Sequence, residues 1–325
     1  MGQRIEYIDI AKGFGIFCIV VGHGSNPWWM NYWLYSFHVP LFFIISGFFY
    51  RQRSLSETLS KCWRQLLIPM FITLSIAHLT LSLLFLRHGI WEGPPMKEWI
   101  VDILLMRYTG NVFGQWFLMA LVWGKIFMCL CHKLGDKGLL IGIFLLMMIC
   151  LIFRDEAVNT PWYLIQGLIV PLYLYVGMIL KKYSILDKLS SPVATFISIL
   201  ILSIAWRCPV YFFAMQLPYG FLSIVTTILL SIAVLLVIKK ASELSEIPKR
   251  LFIFAGQNTL LILCVHSLIH CLQVDKIIRQ ALQTVCIEYY PLMLVLIAFA
   301  ECGVLVCIVY HINKLSIVSR LFHAK

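Results

Sequence analysis

The sequence predicts an all-α fold, a polytopic membrane bundle of about ten transmembrane helices with both termini in the cytoplasm. Three observations predict it. Of the 325 residues, 61% are hydrophobic and 13% charged, with a mean hydropathy of +0.89. A soluble domain is roughly half apolar and about a quarter charged, so this chain has too little charge to cover a water-facing surface. The apolar residues also fall into runs near the ~20 residues a helix needs to cross a bilayer. Finally, the cations collect in the short segments between alternate runs, which is the positive-inside pattern. The net charge of +11 therefore reads as membrane topology and argues against a nucleic-acid surface.

The candidate spans, in order, are 7–23, 33–50, 66–87, 113–132, 138–153, 161–180, 192–206, 219–238, 250–270 and 291–312. The first carries Asp9 and Lys12 and has no small-residue cleavage site, so it is expected to be a retained helix and not a signal peptide. Several later spans are slightly short, and Gly or Pro interrupts some of them, as membrane helices tolerate. With the N-terminus inside, the inner segments hold 17 cations, among them Arg51, Arg53, Lys61, Arg64, Lys239, Lys240 and Lys249. The outer segments hold 7, and Lys12 and Lys125 lie within spans. No repeat period is visible, and 1–325 is expected to be a single membrane domain without an appended soluble one. The longest connections are 88–112 and 271–290; the second has helical apolar spacing from Val274 to Val285 and is expected to lie along the interface. The eleven cysteines are scattered singly through apolar runs, so neither a disulfide framework nor a metal site is expected.

Ionisable groups inside a bilayer cost a few kcal/mol each, about 2.5–3.5 on insertion scales, so each needs a reason. In the first span Lys12 and His23 are eleven residues apart, which returns the helix to nearly the same face about 16 Å further along. Asp9 precedes Lys12 by three and can pair with it. His38 in the second span and His266 in the ninth lie near the same outer boundary, at a depth close to that of His23. Three imidazoles at one depth fit a shared cavity, although a histidine in a helix bundle also serves simply as an interhelical hydrogen-bond link. Pro40 frees a backbone carbonyl beside His38. Glu301 sits mid-span in the tenth helix; protonation, pairing or a functional role would each account for it. The Trp- and Tyr-rich segments 28–35 and 211–219 read most simply as interfacial belts.

Together these pieces resemble a known family. The stretch Tyr7–His23, with its Lys-x10-His spacing, and the following Phe37-His-Val-Pro-Leu-Phe-Phe-Ile-Ile-Ser-Gly47 resemble the opening of the acyltransferase-3 family, nearest to its fucose 4-O-acetylase-like branch. Leu67-Ile-Pro69, Gln115-Trp-Phe-Leu118, Gly256-Gln-Asn-Thr259 and Val265-His266 agree with it. The resemblance implies an integral membrane O-acyltransferase that acetylates sugars of surface polysaccharides. It implies that Lys12 is associated with the acyl-CoA donor and His23 with catalysis, with His38 and Pro40 as the His-x-Pro of the second helix. The family's Arg-x-x-Arg pair of the first cytoplasmic loop is matched only by Lys61-Cys-Trp-Arg64, a departure that leaves open which cation meets the CoA phosphates.

The expected chemistry is transfer of an acetyl group from cytoplasmic acetyl-CoA to a sugar hydroxyl of an envelope polysaccharide or its precursor. His23 would act as general base, with His38 beside it, and Lys12, Lys61 and Arg64 would hold the donor phosphates. Trp116, Asn258, His266 and Glu301 are the candidate acceptor-side residues, Trp116 for stacking on a sugar face and Asn258 for donating to an oxyanion. The expected partners are acetyl-CoA, a sugar or polysaccharide acceptor and the lipid bilayer, with no nucleic acid and no metal. The expected location is the cytoplasmic membrane of a bacterium. A secondary transporter of a lipid-linked sugar is the competing reading, because intramembrane Lys, His and Glu suit proton coupling; no pair of corresponding broken helices is visible in the sequence to support it.

Overall fold

The computed structural model describes residues 5–24, 26–76, 79, 104–105, 115–243, 246–271, 290–316, 318 and 322. The second half of the span 66–87 and the connections 88–112 and 271–290, with the interfacial helix expected in the latter, lie outside the described residues. Twelve principal helices are described: α1 Glu6–His23, α2 Trp28–Tyr35, α3 His38–Phe48, α4 Leu55–Cys62, α5 Gln115–His132, α6 Gly135–Ile152, α7 Leu164–Lys182, α8 Pro192–Ser203, α9 Phe221–Ser242, α10 Ile247–Gln257, α11 Thr259–Cys271 and α12 Tyr290–Ile312. A π-helical stretch, Trp63–Leu67, runs from α4 into further helix over 68–76. Among the described residues there are no strands beyond one isolated bridge, Tyr211 with Gln216.

Three helical stretches, Gly135–Ile152, Pro161–Lys182 and Phe221–Ser242, are long and apolar enough to cross a membrane. Their burial separates rim from centre: 22% of Gly135–Ile152 is buried, against 67% of the window in Pro161–Lys182. On α6 the outward side chains are Leu140, Ile141, Phe144, Leu145 and Ile152, and α8 likewise exposes Phe196, Ile199 and Leu200. An apolar exterior of this kind matches lipid as its solvent.

The helix carrying Lys12 and His23 is central. α1 packs against α3, α9, α10, α11 and α12, and its apolar residues are buried around the whole circumference. Its seam with α10 is a backbone-to-backbone approach: a Cβ on Gly13 would overlap the Phe252 carbonyl, and one on Gly256 would overlap that of Asp9. The α3–α7 seam is made the same way by Gly47 and Gly177. Small residues are what let membrane helices come this close. Elsewhere polar bonds join the core: Tyr173 Oη and Thr227 Oγ1 are 2.8 Å apart, and Thr227 donates onward to the Ile224 carbonyl, so both buried hydroxyls are satisfied.

Two spans that read as continuous in sequence are broken. The second span divides into α2 and α3 at Ser36 and Phe37. Pro40 causes this, because it has no N–H to give the Ser36 carbonyl and its ring would clash there; it is tolerated only in the first turn of a new helix. The ninth divides at Asn258, whose Nδ2 caps the Phe254 carbonyl at 2.8 Å while its Oδ1 accepts from Asn313 Nδ2 at 2.9 Å. Both breaks lie within stretches that read as single spans in the sequence.

Candidate acyl-transfer site

A cavity of about 380 Å3 opens at the Lys12 end of α1. Its lining carries five cations, Lys12, Arg51, Arg53, Lys61 and Lys125, and no carboxylate among the described residues. Ser46, Tyr50, Thr58 and Gln65 add neutral polar groups, and deeper in the wall turns apolar through Ile16, Ile19, Phe42, Ile45, Leu118, Leu121 and Leu263.

Local structure fixes each cation. Lys12 Nζ donates to Asp9 Oδ1 at 3.0 Å and lies 5.0 Å from the centroid of Phe49, which also receives Lys181 at 5.3 Å. The segment bearing Arg51 and Arg53 is pinned at both ends: Tyr50 stacks on His132 of α5 at 5.4 Å, and Cys129 donates its thiol to the Arg53 carbonyl at 3.4 Å. Ser54 and Glu57 then close a capping box that starts α4 and presents Lys61 in its last turn. Cys62 lies between Lys61 and the π-helical stretch; burial pushes its thiol above its ordinary range, and nearby Lys125 opposes the shift. Around the same end of the bundle, other lysines are neutralised directly: Lys239 pairs with Asp187, Lys240 with Glu243, and Lys249 with Glu6 and Glu246.

The other end of α1 gathers imidazoles. The His23 and His266 rings stand 5.5 Å apart, so their shared depth is a real contact. Glu301, only 6% exposed, completes the group: a side chain on Gly24 would stand 3.6 Å from its Oε2. His38 is buried at the start of α3, and its Nδ1 donates at 2.6 Å to the Leu34 carbonyl, which also accepts from the Phe37 N–H at 3.4 Å across the break. That bond leaves Nε2 as the acceptor face of the neutral ring. His38 reaches the group through Tyr35, 4.9 Å away ring to ring, whose Oη donates to the Gly22 carbonyl at 3.4 Å.

The remaining candidates fall into place less evenly. Arg64 is exposed in the π-helical stretch and stands outside the cavity lining, whereas its neighbour Gln65 belongs to it. Trp116 is half-buried, edge-on to Phe117 and Phe213 at 6.4 and 5.9 Å. Asn258 holds the α10–α11 break with both ends of its amide. Arg51, Arg53 and Lys125 were not singled out from the sequence. Lys125 carries the same signal as Lys12, a lysine within an apolar span.

A profile of the acyltransferase-3 family, described as an acyltransferase domain, matches residues 5–312. Among characterised proteins, the nodulation protein NolL of Mesorhizobium japonicum is 28% identical over 127 residues, covering 34% of this chain and 32% of that protein. The chain thus aligns with about a third of that relative's length. No solved structure matches. The profile covers nearly the whole chain, including both ends of α1 and every helix that frames them, and on that ground the chain belongs to the acyltransferase-3 family.

Proposed function

We propose that the protein is a membrane O-acetyltransferase that takes acetyl from cytoplasmic acetyl-CoA and places it on a sugar hydroxyl of an envelope polysaccharide or its precursor. The observation that carries the reading is the cavity, whose lining combines five basic side chains with an apolar wall. Phosphates need cations in fixed positions, and Lys12, Arg51, Arg53, Lys61 and Lys125 supply them. The pantetheine arm is apolar and amide-bearing, and the wall of Ile16, Ile19, Leu118 and Leu263 suits it. That wall follows α1 to Ile19, about one turn short of His23, and α11 to Leu263, about one turn short of His266.

At the His23 end the sugar hydroxyl attacks the thioester carbonyl carbon while the His23 imidazole takes its proton. The new C–O bond forms, the C–S bond breaks, and the imidazolium returns the proton to the departing CoA thiolate. A hydroxyl with a pKa far above 7 needs such a base, and a neutral imidazole supplies it. Direct transfer needs no second nucleophile. Within the family this follows the fucose 4-O-acetylase-like branch, on the strength of the Lys12–His23 and Phe37–Gly47 segments. In this reading the Lys12 end faces the cytoplasm of a bacterial cell and the His23 end the far side of its inner membrane.

The test is transfer from acetyl-CoA labelled in its acetyl group, supplied to membranes carrying the chain. Label should enter base-labile sugar esters, and His23→Ala should lower the rate by about a hundredfold or more. Undiminished transfer by that variant would remove His23 from the chemistry. Solute movement that ignores acetyl-CoA would select the competing transporter reading.

A further inference from the structure

Beyond the cavity and the imidazoles, the largest unassigned feature is aromatic. The segments 28–35 and 205–211, distant in sequence, meet at the His23 end of the bundle and form a file of rings running inward. Trp28, 60% exposed, meets Trp206 at 5.9 Å and Tyr32 at 5.6 Å. Tyr32 meets Tyr211 at 6.4 Å, Tyr211 meets Tyr35 at 4.8 Å, and Tyr35 meets His38 at 4.9 Å. Through its hydroxyl Tyr35 also holds the Gly22 carbonyl, one residue before His23.

We propose that this file is the acceptor platform, binding a glycan segment of more than one sugar and leading its hydroxyl to His23. The inference rests on the acyl-transfer reading and names the surface that the acceptor uses. A sugar ring offers an apolar face of C–H groups and an edge of hydroxyls, and Trp and Tyr offer a ring face beside a polar handle. A lipid-anchoring belt would place its aromatics singly around the perimeter at one depth. Here they succeed one another from surface to interior, and three carry hydroxyls.

The polar rim agrees. Asn26, in the corner between α1 and α2, donates from Nδ2 to the Val21 carbonyl and to Asn31 Oδ1, the latter at 3.1 Å. Its own Oδ1 is buried and has no donor among the described residues. Arg207 lies 4.9 Å from the Trp206 ring centroid, which keeps a cation at the outer edge of the platform.

The test uses the purified full chain in lipid nanodiscs, passed over an array of immobilised oligosaccharides. Wild type should be retained by a restricted set of saccharides. Trp28→Ala and Tyr211→Phe should each weaken retention by tenfold or more, with acetyl-CoA binding unchanged. Phe144→Ala, which removes an equally exposed aromatic from the lipid-facing helix α6, should leave retention as it was. In a second arm, the fluorescence lost in Trp28→Phe should be quenched by aqueous iodide and spared by lipids brominated in their acyl chains. Retention of no saccharide, retention equal in all variants, or quenching by the brominated lipid would each overturn the platform. Acetyl-CoA binding stands apart from these outcomes: its loss in wild type defeats the donor reading, and its persistence with a failed array defeats the platform alone.

Discussion

The Lys12 end and the His23 end of α1 lie about 16 Å apart on one helix, yet they are built from different chemistry. At the first, five cations converge on a cavity whose described lining holds no carboxylate. At the second, two imidazoles, a buried carboxyl and a third histidine reached through Tyr35 are brought together. The nearby lysines Lys239, Lys240 and Lys249 are paired with carboxylates, as Lys12 is with Asp9 within the cavity, whereas Arg51, Arg53, Lys61 and Lys125 line it beside no carboxylate of the described lining. In the proposed reading, the positive charge left in the cavity beyond the Lys12–Asp9 pair is held for a ligand, while the far end is arranged to move a proton.

The strongest way to break that comparison is His23→Ala, which should lower transfer by about a hundredfold or more while leaving acetyl-CoA binding intact. Equal loss of both would merge the two ends into one site. Next come the cations. Lys125→Met and Lys61→Met should each raise the acetyl-CoA Kd by about tenfold or more, the effect of losing a charged hydrogen bond of roughly 1.5–3 kcal/mol. Arg64→Met, outside the lining, should shift it less than twofold by the same isotherm. The seam that sets α1 in place should respond too: Gly256→Ala drives a Cβ into the Asp9 carbonyl and should cost about 1–3 kcal/mol in thermal or denaturant unfolding. Gly303→Ala, with open space around it, should be neutral or slightly stabilising.

The smallest effect is a sharpening one. Because burial raises the Cys62 thiol, alkylation at that residue should be slow at neutral pH and climb as pH rises toward the shifted value. Saturating acetyl-CoA should slow it further, read by mass spectrometry of the peptide carrying Cys62. Fast, ligand-independent labelling would place Cys62 outside the donor cavity.

Much of this was legible in sequence. Helix α1 falls within a residue of its expected bounds, Asp9 pairs with Lys12 as its spacing suggested, and the equal depth of His23 and His266 became a ring contact. What stayed hidden depends on neighbours distant along the chain. Asn258 breaks a helix because Asn313 comes to hold its amide, a partner no local window contains. Arg51 and Arg53 become lining residues because Tyr50 and the Arg53 carbonyl are tied to α5. Pro40 was visible, but its consequence, a new helix starting at His38 whose ring donates to the Leu34 carbonyl, follows only once α2 and α3 are seen to part. The aromatic segments 28–35 and 211–219 looked like belts because their mutual approach is invisible to composition.

The central claim is that the donor binds at the Lys12 end and reacts at the His23 end. Acetyl-CoA binding to the purified protein in nanodiscs, measured for wild type, Lys12→Ala and His23→Ala, tests it most directly. The expected result is saturable binding, weakened tenfold or more by Lys12→Ala and unchanged by His23→Ala. No binding in folded wild type, or equal weakening by both substitutions, would contradict it.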